Sequence, residues 1–556
     1  MRPDHRLLRQ LGELARFLGP EALVTCVDDG PGADPLPGGR GAEPEAPADP
    51  EAAVITGVTH DSRAIRPGDL YAALPGTRVH GADFAAQAAE AGAAAILTDP
   101  TGYDRAAATR LPVVTLADPR ARLGEVAAWV YGHPADRLLL IGTTGTSGKT
   151  TVSYLVESGL RAAGEKTGLI GTVEMRVGDE RVDSSLTTPE ATDLHGLFAA
   201  MGEQGVTSAA MEVSSHALAL GRVGGTTYDV AIFTNLSQDH LDFHSDLRDY
   251  FETKARLFTP EYAKVAVVNR DDRFGRALVD MIEDRGEVPV TTFSAEGDPE
   301  AEWRAEDIVL GPRGSTFRVV GPGGVEADAS VGLPGPFNVS NAMAAIVGLI
   351  EAGVHLHTAI EGVAAAPGVP GRMERVEAGQ EFTALVDYSH KPGAIEAVLA
   401  SLREVARGRL TIVVGCGGDR DRGKRPLMGE AAARLADAVV LTDDNPRSED
   451  PVAILGSMLE GVAKVPREER ARITVEPDRA EAIDLAVRRA GPDDVLVVAG
   501  KGHERGQYVL GEVLPFDDRE VLAESIRRRL GVPDPAARPA AEPEDGPAAD
   551  PAEDGA

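Results

Sequence analysis

The residues Leu138 to Thr151, LLLIGTTGTSGKTT, join an apolar run to a glycine-bracketed Gly-Lys-Thr and then open a helical pattern. In that order a buried strand delivers the chain to a turn where Gly145 and Gly148 let backbone N–H groups approach a polyphosphate. Thr146, Ser147 and Thr151 complete the cradle, Lys149 adds a positive charge, and Thr150 offers its hydroxyl to a magnesium ion. The spacing departs from Gly-x4-Gly-Lys-Ser/Thr, because position 143 is Thr and the nearest glycine, Gly142, comes one residue early. A strand-to-helix turn with a capping hydroxyl would use the same residue types. The phosphate reading is preferred because an apolar strand precedes the motif and VSYLVESGLRAAG follows it.

Those residues need elements to hold them. Apolar runs at TGLIG, at SAAMEVSS from Ser208, at DVAIFTNLS from Asp229 and at AKVAVVN from Ala263 alternate with helical patterns such as DLRDYFETKARLF. That alternation predicts an α/β fold with a mostly parallel sheet covered on both faces, its ligands at the carboxyl ends of the strands. The rule picks out Glu212 and the Asn235 to His240 segment. Upstream, AAVITGVTHDSRAIRPGDLYAALPG and FAAQAAEAGAAAILTD read as a small α/β domain. Asp61-Ser62-Arg63 within it reads equally as a polar turn with an Asp–Arg pair or as a ligand contact. Downstream, FTALVDYSH, RLTIVVGCGG, ADAVVLTDDNP and DVLVVAGKGHE form a further βα series, a Rossmann-like doubly wound domain whose strands end in polar or glycine-rich loops.

Three domains also suit a chain of 556 residues. The expected boundaries are 52–136, 137–371 and 372–532, with a linker near Tyr131 to Arg137. Residues 1–51 should hold one short helix and a disordered Gly/Pro/Ala/acid stretch from Asp28 to Asp49, and residues 533–556 a disordered acidic tail. The formal charge of -32 argues against a nucleic-acid surface, so an anionic ligand must be held by local donors. Only Cys26 and Cys416 occur, far apart and without metal-ligand spacing, which excludes a disulfide scaffold and suits a reducing compartment. MRPDHRLLRQLGELARF lacks the apolar core of a signal peptide and no segment reaches the length of a membrane span, so a cytoplasmic protein without membrane insertion is expected.

TGTSGKTT, MEVSSHAL, FTNLSQDHLDFH, FNVSNAM, GRME, DYSHKP, GCGGDRDRGKRPLMG, DDNPR and AGKGHE occur in one chain in that order. Together they resemble the Mur ligases, and among them the branch that adds diaminopimelate to UDP-N-acetylmuramoyl-L-alanyl-D-glutamate in peptidoglycan synthesis. The resemblance spans about residues 52 to 530, and TGT-x-GKT is the form of phosphate loop that family uses. It implies that the three domains bind, in order, the UDP-linked substrate, ATP and the incoming amino acid, in a monomer. The implied reaction has ATP phosphorylate the D-glutamyl carboxylate; an amine then attacks the acyl phosphate, and the tetrahedral intermediate collapses to an amide.

The resemblance also assigns residues. Thr150 and Glu212 become magnesium ligands, and His240 matches a position associated with a second metal. Lys254 matches a lysine carbamylated by carbon dioxide, an anion that helps hold magnesium; the residues alone make it a helix-surface lysine near Glu252. His60, Ser62 and the Thr77-Arg78-Val79 turn match uridine-nucleotide contacts, and Thr187, Thr188, Ser214 and Arg222 match contacts to the muramoyl dipeptide. Leu186 and Leu220 stand where well-known members carry amides, so two polar contacts are missing or replaced. Asn338, Asn341, Arg372 and Asp387 resemble nucleotide contacts.

For the amino acid, Arg420 and Arg447 supply guanidinium forks suited to the carboxylate that distinguishes diaminopimelate from lysine. Asp444, Asn445 and Pro446 orient polar groups, and Gly500 and Glu504 belong to the loop that takes an ammonium. Standing alone, DNPR would be an Asn-Pro turn with a solvated arginine. Rival readings are another Mur-type or folylpolyglutamate-type amide ligase, or an ATP-hydrolysing switch protein, which would have no use for Arg420, Arg447 and Glu504.

Overall fold

The computed structural model describes residues 1–25, 49–182, 186–241 and 243–532. The tail from Pro533 and the segment expected to be disordered lie outside these residues, except Asp49, whose carboxylate accepts from the Glu51 N–H at a short turn. Two compact units are present, Met1–Val369 and the chain from Pro370 onward.

The first unit opens with strands β1 (Arg9–Gln10), β2 (Leu23–Thr25), β3 (Val54–Ile55), β4 (Gly57–Thr59), β5 (Asp69–Ala73), β6 (Ala95–Thr98) and β7 (Val113–Thr115). β1 pairs with β3, and the others form a five-stranded sheet in the order β2-β7-β6-β5-β4. β4 to β7 pair in parallel, with short helices at Ala85–Glu90 and Tyr103–Ala107 making the last two crossovers.

The second sheet of this unit has eleven strands. They are β8 (Leu139–Thr144), β9 (Thr167–Ile170), β10 (Met175–Val177), β11 (Glu180–Val182), β12 (Ser208–Glu212), β13 (Tyr228–Phe233), β14 (Ala263–Asn269), β15 (Val290–Ser294), β16 (Trp303–Gly311), β17 (Gly314–Gly321) and β18 (Val325–Val331). Their order is β11-β10-β9-β12-β8-β13-β14-β15-β16-β17-β18. The strands from β9 across to β16 pair in parallel, and antiparallel pairs extend both edges. Neighbouring residues along β8 and β13 serve opposite cores: Leu140, Ala231 and Phe233 pack with Leu194, Phe198 and Tyr250, whereas Ile141, Val230 and Ile232 pack with Leu155, Val339 and Ile346. The β-rich stretch expected from Ala301 to Gly332 is the antiparallel continuation of this sheet.

The linker expected at Tyr131 to Arg137 is instead packed structure. Tyr131 is buried, Pro134–Arg137 is a 3₁₀ turn, and the two sheets belong to one compact unit. A close approach explains it: helix Pro119–Val130 lies so near Gly224 that a Cβ on Gly124 would overlap the Gly224 backbone.

The second unit carries β19 (Glu374–Arg375), β20 (Thr383–Asp387), β21 (Leu410–Val414), β22 (Ala438–Leu441), β23 (Arg472–Val475) and β24 (Val495–Ala499), ordered β19-β20-β24-β21-β22-β23. All neighbours from β20 to β23 are parallel, as in a doubly wound sheet. A separate hairpin joins β25 (Gly506–Val509) to β26 (Glu512–Pro515). Among the described residues, no helix is long and apolar enough to cross a membrane.

Candidate active site

Sheet register assembles the first group. Thr143 of β8 stands level with Glu212 of β12 and with Ile232 of β13, so the phosphate loop, the Glu212 carboxylate and the Thr234–Asn235 segment emerge at one edge. The loop is tied to that edge: the Ser147 N–H donates to Asn235 Oδ1 (3.0 Å), and the Thr146 hydroxyl contacts Ser237 O and Tyr250 OH, each at 3.2 Å. Gly145 and Gly148 adopt φ of 147° and 88°. Side chains at either position would overlap Thr234 or Asn341, so glycine here is a steric requirement as well as a conformational one. Lys149 Nζ donates to Gly145 O (2.8 Å) and Thr146 O (2.9 Å), and helix Lys149–Ala162 begins with Thr150 and Thr151 buried. Asn341 Nδ2 donates to Asn338 Oδ1 (3.0 Å), and its own Oδ1 stands beside Gly148.

Glu212 is 1% exposed. It accepts from the Thr172 N–H (2.7 Å) and hydroxyl (3.1 Å), and among the described residues no ion pair satisfies it. A buried carboxylate held by neutral donors suits a cation, and Thr150 adds the hard oxygen donor that magnesium prefers. Gly171 is part of this fit, since a Cβ there would overlap Glu212 Oε1. Thr187 lies 3.0 Å from the Thr172 hydroxyl. The Thr188 hydroxyl donates to Glu212 O (2.9 Å) and accepts from the Ser214 N–H (3.1 Å). Arg222 donates to Thr188 O (3.3 Å) and pairs with Glu190 (2.8 Å).

Lys254 departs from the surface lysine that the local sequence suggests. It is 1% exposed, donates to Gly145 O (3.0 Å) and Thr144 Oγ1 (3.3 Å), and lies 4.7 Å from the Tyr250 ring centroid. The last turn of helix Leu247–Ala255 rotates it under the phosphate loop, an orientation that requires the tertiary fold. Burial, reinforced by the Lys149 charge and opposed by Asp239, pushes its pKa well below the usual lysine range. His240 has a left-handed φ of 54° and lies 3.4 Å from Asp239. His216 packs against it with ring centroids 4.9 Å apart. Among the described residues, no group of three or more His, Cys, Asp or Glu side chains forms a metal-ligand set.

A cavity of about 490 Å³ opens on the N-terminal sheet, lined by His60, Asp61, Ser62, Arg63, Val79 and Arg120 among others. The Asp61-Ser62-Arg63 turn is closed by paired Arg63–Asp61 hydrogen bonds of 2.9 Å, as the polar-turn reading expects, and it faces the cavity. Thr77 and Arg78 are exposed on the adjoining turn and do not line it. Arg120 pairs with Glu190 at 3.6 Å, so one carboxylate bridges a cavity arginine and Arg222. Leu186 is exposed, and Leu220 ends the helix Ser215–Ala219.

In the second unit, the loops that carry Arg420 and Arg447 meet at Gly417. A Cβ on Gly417 would lie 2.9 Å from Arg447 Nη1 and 3.9 Å from Arg420 Cγ. Arg447, half-buried with φ of 54°, donates through Nη1 to Gly418 O (2.7 Å). The β25–β26 hairpin clamps it: its N–H donates to Tyr508 O (2.8 Å) and its carbonyl accepts from Leu510 N–H (2.7 Å). Asn445 donates to Glu504 (2.9 Å), Pro446 O accepts from the Glu449 N–H (3.0 Å), and Gly500 leaves room for Asp444. Arg372 lies 4.6 Å from the Tyr388 ring centroid, and Asp387 accepts from the Met373 (2.8 Å) and Ser389 (2.9 Å) N–H groups. Burial lowers His390 and His503 to about 4, and raises Asp443 to about 6.

Sequence reasoning missed Thr172, Glu190, Tyr250 and Lys501. Thr172 follows a strand end and Lys501 lies inside the glycine-rich loop, so the strand-end rule could have found both. Nothing local marks Glu190 or Tyr250, whose partners are distant in sequence.

Three family descriptions match the chain: Mur ligase family, catalytic domain (residues 54–131), Mur ligase middle domain (143–349), and Mur ligase, glutamate ligase domain (371–502). The chain is 61% identical over 479 residues to a UDP-N-acetylmuramoyl-L-alanyl-D-glutamate–2,6-diaminopimelate ligase of Streptomyces avermitilis, covering 86% of this chain and 94% of that one. An enzyme of the same description from Streptomyces coelicolor is 60% identical over the same shares. A solved structure bearing that description superposes with a TM-score of 0.63 at 33% identity, covering 86% of this chain and 95% of the other.

Proposed function

The chain belongs to the Mur ligase family, and we propose that it is a cytoplasmic, monomeric ligase joining diaminopimelate to UDP-N-acetylmuramoyl-L-alanyl-D-glutamate at the expense of ATP. The observation that carries the specificity is that Arg447 donates to the Gly418 carbonyl on the loop that bears Arg420, while Asn445 links the Arg447 loop to Glu504. Two guanidinium groups and a carboxylate fit a ligand that carries both an ammonium and an extra carboxylate.

In the reaction, the D-glutamyl carboxylate oxygen attacks the γ-phosphorus of ATP, and the bond to the β,γ-bridging oxygen breaks with release of ADP. An amine of diaminopimelate then adds to the acyl phosphate carbon and loses a proton. The tetrahedral intermediate expels phosphate to leave the amide. Lys149 and the backbone N–H groups after Gly145 bind the phosphates, and Lys149 must leave the Gly145 and Thr146 carbonyls to do so. Magnesium, when bound, would neutralise phosphate charge, with Thr150, Glu212 and His240 as the side chains to hold it. Thr188, Ser214 and Arg222 orient the acceptor peptide beside Glu212, while His60, Ser62 and Val79 hold the uridine nucleotide.

Lys254 fits a carbamate. Its buried amine, depressed toward the neutral form, can add to carbon dioxide and lose one proton to yield an N-carboxylate. That group would supply an anionic oxygen ligand under the phosphate loop.

The test incubates the full chain with ATP, UDP-N-acetylmuramoyl-L-alanyl-D-glutamate, and meso-diaminopimelate, LL-diaminopimelate or lysine, following ADP release and product mass. A product heavier by one diaminopimelate less water, with little from lysine, is expected. ADP release that ignores the amine acceptor would overturn the reading.

A further inference from the structure

Beneath the amino-acid site lies a lysine to which the proposed function gives no task. Lys501 is 0% exposed, and its Nζ donates to Asn445 Oδ1 (2.9 Å) and to Glu504 Oε2 (3.3 Å). Asn445 Oδ1 also accepts from the Tyr508 N–H (3.0 Å), and Asn445 Nδ2 donates to Glu504 Oε2 (2.9 Å). Two donors on Oδ1 exclude the flipped amide, which would turn its own N–H groups toward an ammonium and a backbone N–H. Glu504 Oε2 is likewise engaged by both partners, and its side chain remains 31% exposed.

The backbone explains why the lysine turns inward. Gly500 and Gly502 flank it with φ of 116° and 54°. Neither could carry a side chain cheaply, since a Cβ would stand 2.5 Å from Asp444 Oδ2 at the first and 2.7 Å from Tyr388 Cβ at the second. Gly-Lys-Gly is therefore a tight loop that drives one ammonium under the site. A role in stability alone would not need its donors aimed at the two side chains assigned to the incoming amino acid. Nearby, the fully buried Arg479–Asp518 pair (2.7 Å) already ties the carbonyls of Asp443 and Ala499 into the fold.

We propose that Lys501 is a positioning residue for the amino-acid site, locking the Asn445 amide in one orientation and holding the Glu504 carboxylate from below so that its other oxygen faces the diaminopimelate ammonium. This rests on the proposed function. Lys501 does not touch the ligand; it acts through Asn445 and Glu504.

The experiment measures KM for diaminopimelate, ATP and the UDP-linked acceptor with the full-length chain, for the wild type, Lys501→Met, Asn445→Ala and the double variant. Losing charge-assisted hydrogen bonds should raise KM for diaminopimelate about ten- to a hundredfold in Lys501→Met, with the other two KM values within about twofold. Because Lys501 acts through Asn445, the double variant should be clearly less impaired than the product of the two single effects. Unchanged KM for diaminopimelate, equal rises for all three substrates, or fully multiplicative effects would each overturn the proposal. If Lys501→Met does not fold, Lys501→Gln, which keeps a donor for Asn445 without the charge, takes its place. It should raise KM for diaminopimelate selectively, and an unchanged value would overturn the proposal. Wild-type enzyme that ignores diaminopimelate would instead sink the functional reading, a separate result.

Discussion

Replacing Lys254 should make the folded protein more stable and the enzyme nearly inactive. The ammonium is buried, with Gly145 O (3.0 Å), Thr144 Oγ1 (3.3 Å) and the Tyr250 ring around its nitrogen. Its folded pKa is pushed well below the ordinary lysine value of 10.5, first by burial and then by Lys149. Between that lowered value and 10.5 the unfolded chain binds a proton that the folded chain does not, so stability rises with pH through this window and the lysine is a net cost below it. Lys254→Met keeps most of the side-chain volume and removes the desolvated nitrogen. After subtracting two hydrogen bonds, the gain is on the order of 1–3 kcal/mol near neutral pH, with Tm rising about 1–2 °C per kcal/mol for a unit as large as Met1–Val369. The assay pairs scanning calorimetry with ADP release, in carbon dioxide-depleted buffer and in bicarbonate. Wild type should gain activity with bicarbonate, and the methionine variant should be more stable, inactive and indifferent to it. Lys254→Ala, which leaves a cavity, should recover part of the activity with a short-chain carboxylate. Full activity in either variant without rescue would refute the reasoning, and a methionine variant less stable than wild type would refute the energetic half.

Arg447→Ala should raise KM for diaminopimelate about ten- to a hundredfold and leave KM for ATP unchanged, since the guanidinium offers donors beyond the one committed to Gly418 O; equal effects in steady-state kinetics would count against it. Gly171→Ala should cut turnover about a hundredfold with secondary structure intact by circular dichroism, because its methyl displaces Glu212 Oε1. His390 stays neutral in the fold down to about pH 4 because it is buried and faces Lys424, Lys391 and Arg372. The unfolded chain binds its proton near 6.5, so stability is lost as pH falls from about 6.5 to 4, by at most about 1.4 kcal/mol per pH unit. His503 acts in the same direction, while Asp443, raised to about 6, gains stability as pH falls through 6. His390→Gln should flatten the pH dependence of urea unfolding between pH 6.5 and 5, and an unchanged slope would rule the histidine out.

Much of the framework around the candidate site was legible in the order of residues alone. The phosphate loop and Glu212 in the first unit, and the DDNPR and GKGHE loops in the second, stand where apolar strands end, and within each sheet parallel pairing places such ends on one side. Glycines at 145 and 148 could be read as positions of close approach, and each meets a specific side chain there. What local pattern could not decide is burial and partnership. Lys254 and Lys501 are ordinary lysines in sequence, and only packing removes them from water and aims them at Gly145 or at Asn445 and Glu504. Glu190 joins Arg120 to Arg222 across two sheets, a relation with no periodicity to betray it. The stretch expected as a linker shows the same limit: local sequence did not reveal that Gly124 and Gly224 allow a backbone approach that packs the two sheets into one unit. Strand ends follow from hydrophobic runs and turn chemistry, which are local; the charge state and aim of a side chain depend on what distant segments exclude from it, and that is settled only when the chain has folded.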